Sequence, residues 1–148
     1  MTSVKTSPDP GAPLPALVGF VFQQVRDILR KEDWGGLRNS HLRVLHSVGE
    51  GGITVTELAD RLGMSKQGAG QFVTWLADEG YVTVAPDPKD LRVRRVRRTS
   101  RGTLTLRRFA RRMTALEKQW SREVGPERYA VFRSVLEDLS RSSRTRSS

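Results

Sequence analysis

The stretch Ile53 to Val82, ITVTELADRLGMSKQGAGQFVTWLADEGYV, decides how the rest of the chain is read. Thr54 and Glu57 have the spacing of a capping box, in which the hydroxyl accepts from the third helical amide and the carboxylate reaches back. A short helix follows, with Leu58, Ala59 and Leu62 facing inward. Gly63 stands where a left-handed residue closes such a helix. After Met64, Ser65 can cap a second helix, Lys66 to Glu79, whose inner stripe is Ala69, Phe72, Val73 and Leu76. Gly80 ends it. Two short strands are expected next, Tyr81–Ala85 and Val93–Arg98, joined by a Pro-Asp-Pro-Lys-Asp loop.

Helix, glycine turn, helix and hairpin is the order of a winged helix-turn-helix. Ala59 allows a close crossing, Gly63 supplies the turn, and Ala69 and Phe72 pack the second helix back on the first. The second helix, residues 65–79, then enters a DNA major groove N-terminus first. Ser65, Lys66, Gln67, Gly70, Gln71 and Thr74 would be exposed there. Glutamine can pair with adenine on two atoms, lysine favours guanine, and serine or threonine are permissive. Gly68 and Gly70 each cost ~1 kcal/mol in a helix relative to alanine. Close approach of DNA backbone and ordinary helix packing are both readings of that cost.

Outward from this head, Leu17, Val21, Val25, Ile28 and Leu29 mark one face of a helix from about Ala16 to Asp33, ended by Gly35-Gly36. Asn39 or Ser40 can cap a helix carrying Leu42, Val44, Leu45 and Val48. On the C-terminal side, Leu106, Phe109, Ala110, Met113, Leu116 and Trp120 keep helical spacing until Gly125-Pro126. A last helix, Glu127–Leu139, carries Tyr129, Phe132, Val135, Leu136 and Leu139. The expected fold is mainly α with a small β-hairpin, an α+β winged helix-turn-helix. Its plan is a disordered arm (1–15), an N-terminal helix (16–36), a DNA-binding region (37–102), C-terminal helices (103–140) and a frayed tail (141–148).

Charge is concentrated. Lys89 to Arg112 holds eleven basic residues against one acid, Asp90, and so carries the whole-chain net charge of +10. Such a block is the footprint expected for a polyanion, because each neutralised phosphate releases a counterion. Within it, Arg107, Arg108, Arg111 and Arg112 lie opposite an apolar helical stripe, where a solvated face is the ordinary reading.

Other classes lack support. The 148 residues include no cysteine, which removes disulfides, thiolate metal sites and thiol redox control. His41 and His46 fall about 140° apart around a helix, too far to share a metal. No Ser/His/Asp set, phosphate loop or carboxylate pair points to catalysis, so no enzyme, cofactor or metal is expected. No apolar run approaches the ~20 residues of a membrane span, and the N-terminal residues lack a secretory core, which predicts a cytoplasmic protein. A hydrophobic content of 36% is lean for a core and suggests further burial by self-association.

The sequence resembles the multiple antibiotic resistance regulator (MarR) family of bacterial winged-helix transcription factors. The resemblance covers about Leu17 to Leu139 and rests on ELADRLGMSKQGAGQFVTWLADEGYV and DPKDLRVRRVRRTSRG. Asp87, Pro88, Asp90, Arg92, Thr99 and Gly102 match the family's Asp-Pro-x-Asp-Arg-Arg and Thr-x-x-Gly pattern. It implies an Asp90–Arg92 salt bridge that aims Arg92 at the minor groove from a wing spanning 86–98, with Lys89, Arg94, Arg95 and Arg97 as further contacts. It implies a homodimer built from the first and last two helices, through Leu17, Val21, Val25, Trp120, Phe132, Leu136 and Leu139. Two heads about 34–36 Å apart would face a pseudo-palindromic operator. It also implies a small-molecule cleft, for which Trp34 and His41 are candidates, and hence a repressor released by an effector. The alternative is a low-specificity architectural DNA binder. Leu91 and Arg98 depart from the family pattern, since arginine and a core leucine are usual there. Arg94 shares a strand face with Val96 and Arg98, so the hairpin is displaced or the arginines snorkel past the core edge.

Overall fold

The structure is a computed structural model that describes residues 9–145. Its elements are α1 (Leu14–Lys31), α2 (Asn39–Ser47), β1 (Ile53–Thr54), α3 (Val55–Leu62), α4 (Lys66–Asp78), β2 (Val82–Asp87), β3 (Asp90–Arg98), α5 (Ser100–Val124) and α6 (Pro126–Thr145). A mainly helical chain with a small antiparallel sheet is the expected class. The chain divides into two compact units, residues 1–39 and 40–148.

In the first unit, Pro13 and Pro15 bracket the first residue of α1, where a missing N–H costs nothing. The helix therefore begins at Leu14, inside the stretch expected to be a disordered arm. The remainder of that arm, residues 1–8, lies outside the described residues. Arg30 and Lys31 occupy the last turn of α1, where cations suit the helix dipole. No residue of α1 is buried. Beyond it, the Trp34 indole N–H donates to the Ile28 carbonyl at 3.4 Å, and the Asp33 carboxylate accepts from the Gly35 amide at 2.8 Å.

The second unit has a dense centre. Leu42, Val44 and Leu45 of α2, Leu58 and Ala59 of α3, Ala69, Val73 and Leu76 of α4, and Ile53, Val82 and Val96 of the sheet are all buried. The Thr54 hydroxyl accepts from the Glu57 amide at 3.2 Å, and the Glu57 carboxylate accepts from the Thr54 amide at 3.0 Å. Both halves of the capping box form. Gly63 takes the left-handed conformation (φ +62°), and the Ser65 hydroxyl caps α4 by accepting from Gly68 at 3.0 Å.

The sheet is larger than a hairpin. Strand order is β1-β3-β2, with Ile53 opposite Val96 and Thr54 opposite Arg95. Thr54 thus serves as strand partner and helix cap together. The expected five-residue loop between the wing strands is also corrected. β2 runs on through Pro86 and Asp87, β3 starts at Asp90, and Pro88-Lys89 alone makes the turn. Pro86 is tolerated because β2 is an edge strand and has no need of its amide on the outer side. The register shifts between Pro86 and Asp87, a bulge at the tip. Along the rest, Val84 lies opposite Val96 and Val82 opposite Arg98, so pairing is regular. Val96 is fully buried, Arg94 is exposed and Arg98 is half-buried with its Nε without a hydrogen-bond partner. Arg94 reaches solvent on one side of this valine, whereas Arg98 on the other side keeps its Nε buried and snorkels only in part.

The sheet joins α5 through a close contact. The Thr99 hydroxyl donates to the Gly80 carbonyl at 2.7 Å and accepts from the Gly102 amide at 3.1 Å. A side chain at Gly102 would place its Cβ 2.2 Å from the Tyr81 carbonyl oxygen, so only glycine fits. α5 buries Leu106 and Leu116, and it holds α6 through Glu117, which accepts from the Tyr129 hydroxyl at 2.5 Å and pairs with Arg133. α6 continues to Thr145, past the start of the expected frayed tail at Arg141. Ser140 donates to the Leu136 carbonyl (2.7 Å) and Ser142 to that of Asp138 (3.1 Å), which accommodates serine within a helix. Residues 146–148 lie outside the described part. No helix among the described residues is long and apolar enough to cross a membrane.

Candidate nucleic-acid interface

The α4 stripe of Ala69, Val73 and Leu76 is buried, which turns the opposite face of the helix outward. Ser65, Lys66, Gln67, Gln71 and Thr74 are exposed there and Gly70 is half-exposed. A Cβ on Gly70 would meet nothing within 4 Å, whereas one on Gly68 would come within 3.1 Å of the capping Ser65 hydroxyl. Packing within the described chain therefore does not require glycine at 70. The bare backbone there leaves room for another molecule to approach.

Across from this face stands the wing. Lys66, Gln67, Gly70 and Thr74 line one wall of an open groove of about 870 Å³, and Arg92, Val93 and Arg94 line the other. Arg92 extends from the wing with its side chain 90% exposed. Its Nε donates to Asp90 Oδ1 at 3.1 Å and its Nη2 to Oδ2 at 3.2 Å, a two-point pair. The Arg92 amide also donates to Oδ1. These bonds hold the Asp90 carboxyl below its ordinary pKa, the guanidinium contributing most. Such an exposed pair adds little stability, ~0–1 kcal/mol, but it restricts where the guanidinium points. Lys89, at the turn, is exposed.

The remaining wing arginines divide. Arg94 is exposed on the groove wall. Arg97 is exposed but donates from Nη1 to the Gly51 carbonyl at 3.1 Å. Arg95 turns back on the protein: Nε and Nη2 lie 2.9 and 2.8 Å from Asp87 Oδ2. Asp87 is nearly buried and its Oδ1 accepts from the Lys89 amide at 2.8 Å. That amide and then the guanidinium keep its carboxyl below the usual pKa. Sequence alone groups Arg95 with the DNA contacts and gives Asp87 no role beyond a motif match. The alternation of the strand was legible, but the cross-strand partner depended on a bulge that was not.

The candidates for a ligand cleft have other neighbours. His41 is half-buried, with its ring 4.2 Å from Trp75 and edge-on to Phe72 at 5.3 Å. Trp75 stacks in turn on Tyr81, over which Arg101 lies at 4.6 Å. Trp34 is buried in the first unit. Of the expected dimer residues, Leu17, Val21, Phe132, Leu136 and Leu139 are exposed, and Val25 and Trp120 are half-buried.

A sequence profile of the MarR family matches residues 35–92, from Gly35 ahead of α2 through Arg92 in β3. The HTH-type transcriptional regulator PetP of Rhodobacter capsulatus is 32% identical over 122 residues, 82% of this chain and 71% of that protein. The chain belongs to the MarR family of transcriptional regulators. Solved structures share its fold. Streptococcus pneumoniae FabT, solved in complex with DNA, superimposes with a TM-score of 0.75 at 18% identity, over 88% of this chain and 95% of that one. Streptomyces coelicolor PcaV, solved with its natural ligand, gives 0.68 at 20% identity, over 93% and 99%. In this MarR-family chain, then, the groove lies between the second helix of the helix-turn-helix and the wing.

Proposed function

We propose that the protein is a homodimeric, sequence-specific repressor. α4 enters the major groove through Ser65, Lys66, Gln67, Gly70, Gln71 and Thr74, and the wing places Arg92 in the flanking minor groove. The observation that carries this reading is the groove itself, where exposed polar side chains of α4 face an arginine held by Asp90. A rigidly held guanidinium suits a narrow, electronegative minor groove. Lys89, Arg94 and Arg97 add phosphate contacts.

The apolar side chains left exposed on α1 and α6 support dimerisation, and a two-fold dimer faces a pseudo-palindrome. The ligand complex of PcaV supports control by a small-molecule effector, which would favour a head spacing that no longer matches the half-sites. DNA selected from random duplexes should yield a palindrome whose half-site centres lie about one helical turn apart. Binding to it should exceed random DNA by ~10³ or more, and a ratio near one would favour the architectural reading instead. Gln67→Ala should erode discrimination among operator variants. Arg92→Ala should weaken every duplex and shallow the salt dependence.

A further inference from the structure

We infer that Asp87 withholds Arg95 from nucleic acid, so that the wing offers DNA fewer guanidinium groups than its sequence carries and binds unselected DNA less. This rests on the reading of the wing as a DNA contact. Asp87 and Asp90 sit opposite one another across the Pro88-Lys89 turn, and each holds one arginine of β3. The two pairs differ in exposure. Arg92 is 90% exposed and Asp90 40%, so Arg92 can keep its carboxylate and still turn free N–H groups to a phosphate or base edge. Arg95 is 25% exposed and Asp87 8%. Arg95 cannot reach a phosphate without leaving Asp87 as a nearly buried carboxylate stripped of its cation, a costly state.

The surroundings of Arg95 hold it in the same place. Its residue is opposite Thr54 on β1, and its Cγ lies 3.4 Å from where a Cβ on Gly52 would stand. Glu57, at the start of α3, is a second carboxylate within its electrostatic reach. Arg95 is thus a staple that ties β3 to Asp87 at the wing tip, with its charge cancelled locally. A short hairpin dense in arginine binds any duplex through phosphates alone. Removing one guanidinium from that set lowers the sequence-independent component, while Lys66, Gln67 and Arg92 are untouched.

The test is the salt dependence of binding to a random-sequence duplex, measured by fluorescence anisotropy between 50 and 200 mM KCl (roughly the range over which phosphate contacts are counted), where one contact contributes a slope of about 0.9 and a change of about 3.5-fold. Arg95→Gln should leave the wild-type slope unchanged, while Arg92→Gln should flatten it. Asp87→Asn should steepen it by about 0.9, and adding Arg95→Gln to that variant should restore the original slope. A merely structural pair would not produce that cancellation. If Asp87→Asn does not fold by circular dichroism, Arg95→Gln decides alone. A slope that falls by about 0.9 in Arg95→Gln, or that does not rise in a folded Asp87→Asn, overturns the inference while leaving the DNA-binding reading intact. A wild-type protein that binds no duplex at all overturns both.

Discussion

The winged-helix head and the last helix are built from similar proportions of apolar residues and put them to opposite use. In the head, Val44, Leu45, Val48, Leu58, Leu76 and Val96 are completely covered by one another. Along α6, no residue from Pro126 to Ser142 is buried, and Val131, Phe132, Val135, Leu136 and Leu139 face outward. α1, in the other unit, likewise leaves Leu17, Val18, Phe20, Val21 and Phe22 exposed. Contiguous exposed apolar side chains are what the proposed dimer would cover. The head is complete within one chain, whereas α6 is unfinished without something else to cover it. The largest expected effect follows from that asymmetry. Phe132→Glu together with Leu136→Glu should convert a dimer to a monomer in sedimentation equilibrium. Operator affinity should fall on the order of 10²-fold or more, because the second half-site contact is no longer intramolecular. The unfolding of the head should be little changed. A double variant that remains dimeric would remove α6 from the interface.

The comparison is sharpened by truncating one leucine in each region. Leu58→Ala empties space inside a closed core and should cost ~2–5 kcal/mol in urea unfolding. Leu139→Ala, on a side chain 62% exposed, should cost within ~0.5 kcal/mol in the monomeric background. Equal losses would mean that α6 is packed within its own chain after all, and the contrast would collapse.

The head was legible in the sequence because its signals are local. Thr54–Glu57, Gly63 and Ser65 each act over three or four residues, and they form the caps and turn that their spacing predicts. The buried stripes of α3 and α4 follow from helical periodicity, and the exposed set Ser65, Lys66, Gln67, Gln71 and Thr74 follows from the stripes. What escaped depended on partners far along the chain. β1 is two residues long and exists because Val96 and Arg95 lie beside it. Pro86 and Asp87 looked like loop residues, and they enter a strand because that strand is an edge and because the Asp87 side chain accepts the Lys89 amide. The same aspartate took Arg95 out of the outward-facing wing. In the C-terminal helix, serines that favour turns in isolation are accommodated by bonds to carbonyls four residues back.

The smallest effect concerns acid. Glu57, Asp87 and Asp90 all have carboxyl pKa values below their ordinary ones, through the Thr54 amide, the Lys89 amide and the Arg92 guanidinium respectively. A group whose folded pKa is depressed binds protons more readily when unfolded. Its contribution to stability is therefore fully present above the ordinary carboxyl range, about pH 4, and is lost as pH falls through the lower folded value. All three carboxylates belong to the head: one caps α3 and two shape the wing. Acid below about pH 4 should therefore loosen the region that is otherwise complete, even though the apolar burial beneath it does not titrate. Asp87→Asn isolates one contribution, since asparagine keeps the shape and an acceptor but not the charge opposite Arg95. The stability gap between wild type and Asp87→Asn, read from urea midpoints, should be constant from pH 7 to about 5 and should close as pH falls below about 4. A gap that stays open into acid would mean that Asp87 contributes through the geometry of its turn and not through its charge, and the Arg95 staple would then be steric.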